Sequence, residues 1–139
     1  MKLIGILALC IFSSSLFAQD HKVSEATNSE LIKFANSSNL IASTQDAQNI
    51  RIRIYTLHNE PGSAGYATGE VTQNLFVSVS EYDEYPRQNL FIVSEFLKPS
   101  FQKWTGTTND SATAIIEYGP YNKRESIKLK ISINNVKIE

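Results

Sequence analysis

The sequence predicts an all-β protein, an antiparallel β-sandwich preceded by a short N-terminal helix. Three observations predict it: hydrophobicity of period two recurs after residue 49, turn-forming clusters separate those segments, and no strongly periodic helix follows residue 40. An Ig-like, a C2-like and a jelly-roll topology all fit, and an open β-barrel is the alternative. Parallel βαβ units need crossover helices, for which the spacing leaves no room.

The chain opens as an export signal. Lys2 is followed by the apolar run Leu3 to Phe12, by Ser13-Ser14-Ser15, and by Leu16-Phe17-Ala18, which offers cleavage after Ala18. A transmembrane helix needs about 20 apolar residues, and this run is half that length. Cys10 sits inside the run behind Leu9, not behind the small residue that a lipidated cysteine requires, so it reads as part of the signal. Residues 1–18 are thus expected to be a signal peptide, 19–48 a polar leader with a short helix, and 49–139 the sandwich. The exported chain, in the periplasm or outside the cell, would have no cysteine and no integral membrane segment. It must therefore hold itself by its core and not by disulfides. Loss of Lys2 leaves 12 basic against 14 acidic residues, a net charge near −2, which does not favour nucleic acid or an anionic membrane.

In the leader, Thr27-Asn28-Ser29-Glu30 fits a capping box. Leu31, Ile32, Phe34 and Ala35 follow as a narrow apolar stripe, predicting a helix over 28–36 that packs on the edge of the domain. Ile50, Ile52 and Ile54 alternate with Arg51, Arg53 and Tyr55 as a strand with one wet face. His58 to Gly65 is a loop by its proline and glycines. A second strand runs from Val71 to Ser80, with Leu75, Val77 and Val79 on one face. Its partner, Gln88 to Leu97, is apolar on both faces and so predicts a central strand buried on both sides. Thr113 to Tyr118 makes a short strand, ended by Gly119-Pro120. The last strand alternates Ile127, Leu129, Ile131 and Ile133 with Lys128, Lys130 and Ser132, and a phase slip at Asn134-Asn135 reads as a β-bulge. The segments 65–69 and 101–106 are each able to hide a further strand.

Motif chemistry is sparse. His21 and His58 lie in polar stretches without a partner at metal-ligand spacing, and neither a Gly-x-Ser-x-Gly elbow nor a phosphate loop is present. The densest stretch is Glu81-Tyr82-Asp83-Glu84-Tyr85-Pro86-Arg87. Glu81, Asp83 and Glu84 are candidate Ca²⁺ ligands. Alternatively Tyr82 and Tyr85 form a platform for a sugar, with Asp83, Glu84 and Arg87 bonding its hydroxyls, or the whole is a solvated turn whose charges block edge pairing. Trp104, the only tryptophan, reads as a core anchor at a sheet corner or as a contact residue, and Tyr121 sits at the next aromatic turn. Asn36-Ser37-Ser38 and Asn109-Asp110-Ser111 match the N-glycosylation pattern, and Asp110-Ser111-Ala112 a bacterial O-glycosylation pattern.

These features point to a secreted, non-enzymatic binding or accessory module. Its partner would be a glycan, an envelope component or another protein, met by Tyr82, Asp83, Glu84, Tyr85, Arg87, Trp104 and Tyr121. One alternative is a polysaccharide hydrolase pairing Asp83 or Glu84 with Glu95 or Glu117 across ~5 to 10 Å. Another is a structural accessory subunit that pairs with another chain along an edge, for which the Lys-faced last strand is the candidate.

Overall fold

The structure, a computed structural model, describes residues 24–44, 46–61, 63–65 and 70–139. The expected signal peptide, its cleavage site, Cys10, His21 and the segment 66–69 lie outside the described residues. Among the described residues one helix, α1 (Ser29–Ser37), precedes eight strands: β1 (Asn39–Ser43), β2 (Ile50–His58), β3 (Thr72–Glu81), β4 (Gln88–Leu97), β5 (Ser100–Thr105), β6 (Ser111–Tyr118), β7 (Glu125–Ser132) and β8 (Val136–Ile138). They form two antiparallel four-stranded meanders, β1-β2-β3-β4 and β5-β6-β7-β8. The architecture is the expected sandwich and not a closed barrel.

Alternation builds the core as the sequence predicts. Ile50, Ile52 and Ile54 of β2 and Leu75, Val77 and Val79 of β3 face Ala112, Ala114 and Ile116 of β6 and Leu129 and Ile131 of β7. The two inner strands of each sheet thus supply most of the buried apolar residues, and the outer strands add Ala42, Phe96 and Leu97 and close the margins with Phe91, Val93, Phe101 and Trp104.

Four expectations change. The helix is capped by Asn28 and not Thr27: Asn28 Oδ1 accepts the Leu31 N–H at 2.9 Å, which puts Glu30 one position too early to complete a capping box. The sandwich begins ten residues before the expected 49, because β1 pairs with β2 and Ala42, Thr44 and Ala47 are buried. The slip at Asn134-Asn135 is a chain reversal and not a bulge. The Ser132 N–H bonds the Asn135 carbonyl at 2.9 Å and β8 folds back on β7, as consecutive asparagines favour. Finally, β4 is an edge strand with Leu90 56% and Ile92 59% exposed. Its bulge against β3, where Glu95 takes φ +69°, turns Phe96 into the core, away from the face that Leu90 and Ile92 share.

Only Lys98 and Pro99 separate the two sheets, and one arginine holds that corner. Arg124 donates from Nη1 to the carbonyls of Lys98 (2.9 Å) and Gly119 (2.6 Å), and from Nη2 to Ser100 Oγ and the Glu117 carbonyl (both 3.0 Å). The Glu117 carboxylate lies 3.5 Å from its Nε. Gly119, at φ +106°, donates its N–H to the Leu97 carbonyl, and a Cβ there would meet the Lys123 carbonyl at 2.6 Å. Arg124→Met removes four donors from half-buried acceptors. It should cost about 2–4 kcal/mol of unfolding free energy in a urea titration, and Arg124→Lys should recover little of it, because an ammonium lacks the planar fork. A loss below about 0.5 kcal/mol would refute the role of the corner.

Candidate functional site

Pairing register stacks side chains into rows on the outer face of the first sheet. Leu40, Tyr55, Phe76 and Ile92 are successive cross-strand partners, so one apolar row crosses all four strands. Helix α1 lies over its middle: Phe34 meets Tyr55 and Phe76 edge-on, with ring centroids 5.4 and 5.3 Å apart. The helix therefore packs on the sheet's face and not on its edge. It covers the aromatic centre and leaves both ends of the row open, Leu40 being 55% exposed.

Between helix and sheet runs a groove of about 610 Å³ lined by Leu31, Phe34, Tyr55, Phe76, Leu90 and Ile92, with polar groups at its rim. Toward the start of β2 the groove passes into a shelf of about 270 Å³ lined by Arg51, Arg53, Ser78, Ser80, Glu81, Tyr82 and Gln88. Ser78 and Gln88 border both. Arg51 donates from Nε to the Tyr82 hydroxyl at 3.2 Å, and its guanidinium carbon lies 5.0 Å from that ring's centroid. Arg53 has no carboxylate partner among the described residues. An apolar trough thus opens onto two guanidinium groups, the Glu81 carboxylate and four neutral hydrogen-bonding side chains.

The expected contact residues do not form one surface. Tyr82, Asp83, Glu84, Tyr85 and Arg87 lie on the turn before β4, and Tyr121 lies beyond its other end, beside Lys98. A ten-residue strand spans roughly 33 Å, which separates them. Glu95, the eighth residue of β4, lies roughly 23 Å along the strand from that turn, and Glu117 lies past the strand's end beside Ser100, so Asp83 and Glu84 are well beyond the separation of a hydrolytic pair from either. Trp104 is half-buried, 5.1 Å from Phe101 by ring centroids, and its Nε1 donates to the Ser43 carbonyl at 3.3 Å. It ties β5 to β1 along the seam between the sheets.

Within the turn, Glu81 is taken up by Arg87, whose Nε, Nη2 and backbone N–H all bond its carboxylate. Asp83 accepts the Glu84 N–H, and Tyr85 is 86% exposed. Among the described residues no three His, Cys, Asp or Glu side chains gather as metal ligands. The side-chain and then the backbone hydrogen bond from Arg87 hold the Glu81 carboxyl below its ordinary 4.5.

At the far end lies a polar cleft of about 400 Å³ between Ser63, Thr72, Glu95, Tyr118, Lys123 and Glu125. The Tyr118 hydroxyl donates to Glu125 at 3.1 Å, which raises its pKa, with burial and the carboxylate charge adding to the effect. Tyr121, 88% exposed, directly follows Pro120 of the cleft wall. The alternation of β2 and β3 in the sequence carried enough signal to find the Arg51-Arg53 shelf, but arginines on a wet strand face read as ordinary solvation.

No family model, curated protein or solved structure matches the chain. Function must be argued from its own surface.

Because Glu81 titrates below its unfolded value, its pairing contributes stability that is present above that value and lost as the pH falls through the folded one. The difference in urea midpoint between wild type and Glu81→Gln should therefore be largest near about pH 7 and vanish near about pH 2. A difference that stays constant over that range would exclude the pairing as the cause.

Proposed function

We propose that this chain is an exported, non-enzymatic binding module whose ligand is an anionic amphiphile, the chemistry of acylated or lipid-like envelope components. The observation that carries it is the continuity of groove and shelf: apolar walls from Leu31, Phe34, Leu90 and Ile92 lead directly to Arg51 and Arg53. Burying an acyl or aromatic body against that row removes apolar surface from water at about 25 cal/mol per Å². A carboxylate, sulfonate or phosphate at the shelf would accept charge-assisted bonds from guanidinium groups, which match such planar or multidentate acceptors. The lining offers fixed charge and apolar contact, which is what holding a ligand requires.

The probe that tests this is 1-anilinonaphthalene-8-sulfonate, which joins an aromatic body to one anionic group. Wild-type protein with an intact near-ultraviolet circular dichroism spectrum should bind it with increased fluorescence. Arg53→Gln and Ile92→Gln should each weaken binding about fivefold or more, and Tyr121→Ala should leave it unchanged. Equal binding by both groove variants would remove the site.

A second reading is favoured by Tyr121, nearly fully exposed beside the polar cleft. It places a neutral glycan there, the aromatic ring stacking on a sugar face and Glu95, Lys123 and Glu125 meeting its hydroxyls. On a glycan array, Tyr121→Ala should abolish any glycan signal that Arg53→Gln retains. The opposite pattern would assign the glycan to the shelf.

A further inference from the structure

The two sheets end in four edge strands, and they are not equivalent. β1 has five residues and a bulge, β5 six residues and a bulge, and β8 only three. These are edges blunted in the usual ways. β7, the Lys-faced strand expected to pair with another chain, is an inner strand covered by β8. β4 is different: ten residues long, straight from Gln88 to Val93, and uncharged over Gln88-Asn89-Leu90-Phe91-Ile92-Val93-Ser94.

Its open side can be read from its paired side. The Glu81 N–H bonds the Arg87 carbonyl, so the odd-numbered residues of β4 direct their peptide groups at β3. Gln88, Leu90, Ile92 and Ser94 then direct theirs at the open edge, because antiparallel ladders alternate.

We infer that two copies of this chain pair edge to edge through β4, antiparallel and centred on Phe91. A two-fold contact must be self-complementary, and this register is. It sets Leu90 opposite Ile92, Asn89 opposite Val93 and Gln88 opposite Ser94. At each end of the uncharged stretch it brings Arg87 of one copy level with Glu95 of the other. Opposite charges thus close both ends, and no like charges face each other. A shift of two residues in either direction loses both charge pairings. The product is a continuous eight-stranded sheet in which the exposed Leu90 and Ile92 side chains of the two copies cover one another on the outer face, bringing the two grooves side by side.

Sedimentation equilibrium on the full chain, exported and purified, should give twice the chain mass at about 100 µM, a range in which modest dimers are populated. Amide exchange at Leu90 and Ile92 should slow as concentration rises. Glu95→Arg sets two Arg pairs across the axis and Arg87→Glu sets two Glu pairs, so each alone should dissociate at least tenfold more readily. Their equimolar mixture should associate again, because every pairing in the mixed dimer is Arg with Glu. Leu90→Lys, folded by circular dichroism, should be monomeric. A wild-type monomer at this concentration overturns the inference and leaves the edge to a strand of another protein. A dimer indifferent to Leu90→Lys and to both charge reversals overturns it too, by placing the contact elsewhere.

Discussion

The fold depends on how Arg124 turns one sheet into the other. Two meanders that share a core must be joined by a chain that leaves the edge of the first and enters the edge of the second. Here that passage is two residues long. So short a crossing crowds the carbonyls of Lys98, Gly119 and Glu117 into one corner. A guanidinium satisfies them together because its donors lie in one plane with fixed spacing, and the nearby Glu117 carboxylate balances its charge. Lys98 takes a left-handed backbone at φ +46° to make the turn, a strain that the surrounding bonds over-determine.

That corner also decides which surfaces remain free. β5 starts at the end of β4 but lies against β1, where Trp104 bonds the Ser43 carbonyl. At the far end of β4, Asn89 Nδ2 donates to the Ile133 carbonyl just after β7 at 2.7 Å. The outer faces then differ in kind. That of the second sheet shows Lys128, Lys130 and Lys137 to water, an ordinary solvated face. That of the first carries an apolar row from edge to edge, with one nine-residue helix laid over its centre. Leu31 and Ile32 of that helix are themselves exposed, so the helix walls a groove without sealing it.

Much of the fold was legible because period-two patterning reports one buried face directly. β2, β3 and β7 show it without interruption, and their inward residues are those the alternation names. β1 was hidden because its single buried side chain is Ala42, in a stretch whose other residues resemble a polar leader. The corner arginine was hidden because nothing local marks it: its partners come from positions 98 to 119, joined only by the completed topology. The turn at 81–87 enters the shelf through Glu81 and Tyr82 alone. Its carboxylates and tyrosines are dense in sequence, but Glu81 and Asp83 bond their own turn. The Arg51-Arg53 shelf gathers from three strands that no short motif links.

β4 shows the most instructive mismatch. Apolar residues on both faces are the pattern of a strand covered on both sides, and within the folded chain only one side is covered. Hydrophobic patterning records the surroundings under which a sequence functions, and those need not all come from the same chain. The cost of Leu90 and Ile92 at an open edge is considerable, since an uncharged edge of this length invites unwanted pairing. Two lysines or a proline would have blunted it, as length and bulges blunt β1, β5 and β8. The strand instead keeps seven uncharged residues between one arginine and one glutamate. An edge kept open in this way is the feature that the proposed pairing would cover, and the groove beside it shares the same two side chains.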